Sequence, residues 1–277
     1  MDRASRFKQI GIYVGKCFRV FLHEHGWKLF ISSAIIAILI AFVIDKDQMF
    51  VDYTETRNGV FALVCGCIWI GIFNSIQSIC KERDIIKREH RSGLYISSYV
   101  VSHAIFEMAI CIAESIIVTA IFCIIFNKNL PSSGVFAPTF IELWISFFLT
   151  IFASDALGLM VSSIVKTPNT AMTVMPFVLI IQLVMSGFIF KLNDFMSKIA
   201  YITIAKWSLN GICTTLNVND LHNPSNPFVE AMISENQSDY EFTAENLLVK
   251  FAILAGFIVL YVVISIISLS FVDKDKR

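Results

Sequence analysis

The chain contains no Gly-x-x-x-x-Gly-Lys-Ser/Thr phosphate loop, no dinucleotide fingerprint and no His-Glu-x-x-His pair. Soluble nucleotide and metallohydrolase chemistry is therefore excluded from these residues, and any ATP-driven work is expected to use a second polypeptide. The five histidines, His23, His25, His90, His103 and His222, show no metal-ligand spacing, and Cys65-Gly66-Cys67 has no ligand partners nearby. No cofactor and no metal is assigned to the chain. Cys213 is the one cysteine in the segment 191–246, so no disulfide within the chain can staple that segment. Its thiol either stays free or links two copies. Charge is also scarce: 16 % of the residues are charged, 56 % are apolar, and the mean hydropathy is +0.70. That much apolar surface is more than a soluble domain of 277 residues can bury, so the chain is read as an integral membrane protein. The formal net charge is zero. It nominates no partner, and no nucleic acid is expected.

Six apolar stretches are long enough to span: residues 27–44, 59–79, 99–126, 140–165, 171–190 and 247–271. A span needs about 20 mostly apolar residues at about 1.5 Å rise each. Runs of this length do not resemble the alternating strands of a barrel, so the expected class is all-α with six transmembrane helices. Residues 1–26 mix Phe7, Ile10, Phe18 and Leu22 with Arg and Lys. They suit a helix lying flat at the cytoplasmic interface, or simply the start of the first span. They do not read as a cleavable signal, because the charged region is too long and no small-residue cleavage site follows. Residues 27–277 then form the membrane domain.

Lys and Arg concentrate in the N-terminal segment, in the loop between the second and third spans, and in the tail. Both termini are thus expected in the cytoplasm of a multi-pass cell-membrane protein. The segment 191–246 is expected outside, with a short apolar helix near residues 193–204 against the membrane face. A solvated cap would cover residues 217–245. Asn236-Gln237-Ser238 is a glycosylation sequon, a triplet that also arises by chance.

Between the second and third spans stands the run Lys81-Glu82-Arg83-Asp84-Ile85-Ile86-Lys87-Arg88-Glu89-His90-Arg91-Ser92-Gly93-Leu94-Tyr95. A hydrocarbon core does not tolerate that charge density, so the segment 80–98 is placed in water at a membrane face. Ile85, Ile86 and Leu94 leave a small apolar stripe on it. The segment is either a docking helix for a soluble partner or a topology loop. As hydrated charges, its Glu and Arg side chains are expected to leave no buried orphan when replaced.

Polar groups inside the spans are Glu107, Glu114 and Asp155. Glu107 and Glu114 are seven residues apart and share a helix face. Glu107 is near enough to the charged run to pair with Arg83, Arg88 or Arg91. These three acids form either a structural polar network or part of a solute path. Ser162 and Ser163 suit helix packing.

This order of elements resembles the membrane domain of ABC transporters of the type-2 permease class, particularly the ABCG-like white and pleiotropic-drug-resistance branch. The motifs that carry the resemblance are Lys81-Glu82-Arg83, Lys87-Arg88-Glu89 and Gly93-Leu94-Tyr95; Glu107 after Ser102-His103; and Ser186-Gly187-Phe188 followed by Trp207-Ser208-Leu209. Two departures stand out. The eukaryotic branch carries its ATPase ahead of the spans in one chain, and it has several cysteines in the last external loop.

The resemblance implies two permease chains, identical or merely similar, on a two-fold axis above two nucleotide-binding ATPase subunits that hold ATP and Mg. It implies that Glu82, Arg83, Lys87, Arg88 and Glu89 couple to the ATPase. It also implies a central cavity lined by the second and fifth spans, with Trp69, Phe73, Asn74 and Gln77 facing Thr173, Phe177 and Ile180. Val184 and Met185 would gate the exit. The same residues would look alike in ordinary interhelix packing. The expected activity is export of a hydrophobic or amphipathic solute. A membrane sensor or immunity module for a membrane-active peptide, and a passive channel or scaffold, are the alternatives.

Overall fold

The computed structural model describes residues 5–128, 130–189, 194–221 and 238–272. Among them the fold is all helical, apart from one isolated bridge between Ser133 and Pro138. Helix α1 (Arg6–His23) meets α2 (Lys28–Val43) at a bend of 72°. Left-handed His25 (φ 56°) and Gly26 make the bend, and a side chain on Gly26 would collide with the ring of Phe21. Helix α3 (Tyr53–Ser75) begins where the Asp52 carboxylate caps the amide of Glu55, at 3.0 Å. It starts ahead of the expected residue 59 because Thr56 and Arg57, polar as they are, are buried. Two short helices follow, α4 (Ser78–Lys81) and α5 (Arg83–Arg91).

Helices α6 (Ile96–Ile125) and α7 (Thr139–Ile164) match the third and fourth expected spans closely. Helix α8 (Pro168–Val184) opens on Pro168 in its first turn with Thr167 as its cap. It stops short of the expected residue 190. Shortly beyond it Gly187 takes φ 76°. The last helix, α11 (Ala244–Ser270), is the sixth expected span.

Among the described residues, by length and apolarity, four helices can cross a membrane, namely Tyr53–Lys81 (α3 with α4), α6, α7 and α11. The count is five if the bent pair α1–α2 is one span, and α8 is a shorter apolar helix of 17 residues.

The segment 191–246 departs most from expectation. Helix α9 (Asp194–Ala200) is followed by α10 (Ile204–Thr215), which is buried against α3, α7 and α11. Phe195 and Ile202 are largely exposed, whereas Ile204, Val218 and Tyr240 are buried. The stretches 217–221 and 238–245 are thus not a wholly solvated cap. Buried Cys213 has no surface to offer a second thiol. Residues 191–193, most of the expected cap and Asn236 lie outside the described residues.

The core is built on α3 against α7. At Gly71 a Cβ would run into the carbonyl oxygen of Ile151, and at Gly158 into Ser75 Oγ. Small residues let two backbones approach this closely in lipid. A methyl group at Gly71 meets backbone that cannot step aside, so Gly71→Ala should destabilise by about 1–3 kcal/mol. Gly256 on α11 has open space around it, and Gly256→Ala should be neutral or stabilising. Thermal melting in detergent separates the two; equal melting temperatures would contradict the close α3–α7 contact.

Candidate functional site

Helix α5 is mounted on the rest of the chain by its own charges. Glu82 accepts from Lys16 Nζ at 3.0 Å and from the Tyr99 hydroxyl at 2.9 Å. The Arg83 guanidinium donates to the carbonyls of Ser163 and Val165, at 2.8 and 3.0 Å, where α7 runs out of amide partners. Glu89 accepts from the Tyr13 hydroxyl at 2.5 Å. Burial, reinforced by the Glu89 carboxylate, raises the Tyr13 phenol well above its ordinary value. The Gln9 amide closes the clamp, donating to Gly93 O at 3.2 Å and accepting from Tyr95 N at 3.0 Å. Gly93 has φ 110°, which glycine alone adopts easily.

Glu82, Arg83 and Glu89 are therefore not free hydrated charges, which corrects the expectation from sequence. They are half-buried and spend their hydrogen bonds inside the chain. Lys81, Asp84, Ile85, Arg88 and Arg91 are exposed, and Lys87 is half-buried. Within α5, exposed Asp84, Ile85, Arg88 and Arg91 recur at three- and four-residue steps and so form one outward row, with Lys81 at the end of α4 just ahead of it.

In the interior, Glu114 joins three helices. It accepts from Ser33 Oγ on α2 at 2.8 Å and from Asn74 Nδ2 on α3 at 2.6 Å. Glu107, also buried, accepts from Ser78 Oγ at 3.4 Å, and not from Arg83, Arg88 or Arg91 as expected. Ser75 Oγ donates to the Asp155 main-chain oxygen at 2.7 Å. The Asp155 carboxylate oxygens and the Ser154 hydroxyl have no hydrogen-bond partner among the described residues. Ser162 Oγ accepts from the amides of Ile79 and Cys80, both at 3.1 Å, and so caps α4 rather than merely filling space.

The residues expected to line a central cavity lie on adjacent helices, since α3 packs on α8. Trp69, Phe73, Phe177 and Ile180 are 49 %, 47 %, 64 % and 56 % exposed, and Thr173 is exposed beside them. They present one open apolar face. Asn74 turns to Glu114 and, with Phe73 and Gln77, lines a different cavity, under the α1–α2 bend. Val184 and Met185 are half-buried at the end of α8.

Several working residues escaped the sequence reading. Gln9, Tyr13 and Lys16 were seen only as part of an amphipathic helix. Glu142 is buried and accepts from the amides of Val135, Phe136 and Ala137 at 3.0, 2.7 and 2.8 Å, fixing the approach to α7. An acid in the first turn of a helix is the signal for it. Arg57 donates to the Tyr240 hydroxyl at 3.0 Å and lies over the Phe188 ring at 4.7 Å. Lys250 donates to Thr214 Oγ1 at 2.9 Å. Neither cation signals its partner by spacing. Among the described residues no group of three or more His, Cys, Asp or Glu is placed to hold a metal ion.

Comparison with known proteins falls on the same elements. An ABC transporter ATP-binding/permease protein of Mycobacterium tuberculosis is 23 % identical over 276 residues, covering 93 % of this chain. The chain spans only 30 % of the length of that relative. The profile of the ABC-2 type transporter family matches residues 8–217, which run from α1 through α10 and include the mounted helix α5. With several apolar helices and a match over most of its length, this membrane protein belongs to the ABC-2 type transporter family.

Proposed function

We propose that the chain is the permease subunit of an ATP-driven exporter that moves a hydrophobic or amphipathic solute out of the cell by alternating access. The observation that carries the reading is helix α5. Its inner face is bonded to α1, α6 and the end of α7, and its outer row of Asp84, Ile85, Arg88 and Arg91 is exposed, as is Lys81 just ahead of it. A rigidly mounted, charged and partly apolar helix passes a push from a docked partner into the bundle, which a flexible topology loop does not do. In this reading the partner is a nucleotide-binding subunit, present in two copies and holding ATP and Mg. The tuberculosis relative is named for both ATP-binding and permease parts, which supports a partner of this kind.

The six spans of this reading are α2, α3 with α4, α6, α7, α8 and α11, with both termini in the cytoplasm. Helix α8, of 17 residues, reaches about 25 Å at about 1.5 Å per residue, close to the roughly 30 Å core. The face of Trp69, Phe73, Phe177 and Ile180 is apolar and uncovered within one chain. It faces a second permease chain across the solute path, with Val184 and Met185 towards the exit. Glu107, Glu114 and Asp155 serve as a polar relay between the moving helices.

Two measurements test this. In a reconstituted complex, Arg88→Glu should lower solute-stimulated ATPase about tenfold, the effect of losing roughly 1.4 kcal/mol at a docking surface. Its melting temperature should stay near wild type, because exposed charges contribute only about 0–1 kcal/mol to folding. Gln9→Ala should instead lower the melting temperature, since it removes the clamp on Gly93 and Tyr95. Normal stimulation in a Lys81→Glu/Arg88→Glu double variant would reduce α5 to a topology signal. Separately, a cysteine at position 177 in a background without native cysteines should cross-link two chains on oxidation, and one at position 267 on α11 should not. Uniform failure at 177 would remove the dimer. ATPase stimulation by a peptide without its uptake into vesicles would move the assignment from exporter to sensor.

A further inference from the structure

Under the α1–α2 bend lies a cavity of about 600 Å³, within the range of small-molecule sites. It is distinct from the open α3–α8 face, because Phe177 and Ile180 do not line it. Phe73 and Met172 belong to both regions, so the cavity opens towards the foot of that face. One wall is apolar, formed by Val20, Phe21, Leu29 and Phe106. Gly26 keeps the bend tight against Phe21, so this wall is set by the backbone.

The other wall is charged, and its charges do not cancel. Lys16 and Glu82 neutralise each other at 3.0 Å. Lys81 and Glu24 are both exposed at the rim, where water screens them. His103 is engaged, with its ring 4.6 Å from Tyr99 and Nε2 3.8 Å from Cys17 Sγ. Glu107 is left. It is 4 % exposed, lines the cavity, and has one long hydrogen bond to Ser78 and no ion pair among the described residues. A buried carboxyl group with one long hydrogen bond and an open space beside it has capacity left for a strong donor, and an ammonium head would bind it as the carboxylate.

We infer that this cavity binds one amphiphile with an ammonium head, the head donating to Glu107 and the tail lying along Val20, Phe21 and Phe106. Amphipathic α1 has Phe7, Ile12, Phe18 and Leu22 exposed, which seats it at a lipid surface and puts the cavity within reach of a leaflet. The role of the cavity as the loading point for the α3–α8 face rests on the exporter reading. The binding itself does not.

Cys17 lines the same cavity, and its thiol reports occupancy. In phosphatidylcholine nanodiscs the rate of Cys17 alkylation by a maleimide, read by peptide mass spectrometry, is measured against added dodecylammonium, dodecanol or dodecanoate. Dodecylammonium should protect Cys17 at a concentration at least tenfold below dodecanoate. Glu107→Gln should abolish that preference. Val20→Trp, which narrows the apolar wall without touching charge, should weaken protection by all three. Partition into lipid is the same for every variant and cancels between variants, and the two charged probes are compared at equal measured concentrations in the bilayer.

Equal protection by the two charged probes in wild type overturns the proposal, as does an unchanged preference in Glu107→Gln. If Glu107→Gln does not fold, the wild-type preference and Val20→Trp still decide. Protection without ATP-driven uptake of dodecylammonium would sink the loading role of the cavity and leave the site standing. Uptake without protection would sink the site and leave the exporter reading standing.

Discussion

Where α3 meets α7, two glycines stand where no side chain would fit. Gly71 and Gly158 bring the two helices so near that Ser75 reaches the Asp155 main-chain oxygen and Ser162 reaches the amides of Ile79 and Cys80. In lipid there is no hydrophobic drive to press helices together, so close packing and hydrogen bonds must do it. Everything that gives the protein its shape at one end follows from this pair. The second span can break after Ser75 because Ser162 receives the freed amides. The break turns the chain into α5, and Arg83 then ties α5 to the spent end of α7.

Polar groups in the bundle are used as fasteners, each joining elements far apart in sequence. Glu114 gathers α2, α3 and α6; Gln9 holds the turn after α5; Arg57 and Lys250 hold residues 239–240. The Asp155 carboxylate differs: it lies deep in the core and, like the neighbouring Ser154 hydroxyl, has no hydrogen-bond partner among the described residues. An unmatched polar group in a membrane core is costly and marks functional segments. Its place beside the tightest helix contact is consistent with a role in movement between α3 and α7.

Much of the fold was legible in the sequence, because hydropathy reports a span almost directly. Helices α6, α7 and α11 fall where runs of apolar residues put them. The failures have a common cause. Helix α10 contains Lys206, Asn210 and two threonines, so its composition reads as a water-facing segment. It is buried because Thr150 and Ser208 bond each other, and Thr214 bonds both Asn210 and Lys250. Thr150 lies 58 residues from Ser208 and Lys250 lies 36 from Thr214, and partners that far apart leave no local pattern. The charged run was likewise legible as a motif, but not the division of labour within it. Whether Arg83 or Arg88 faces water depends on where α7 ends, and only the folded chain shows that.

The burial of α10 also constrains how the molecule is made. At 12 residues the helix reaches only about 18 Å, too short to cross, and its hydroxyl and amide groups would oppose its transfer into lipid alone. Its binding site is formed by α3, α7 and, most completely, α11, which follows it in the chain. Membrane insertion must therefore finish before α10 can settle, so this short helix is the keystone fitted after the walls are up. Until then the hydroxyl groups of α7 that it covers, Thr150 among them, stand open to water.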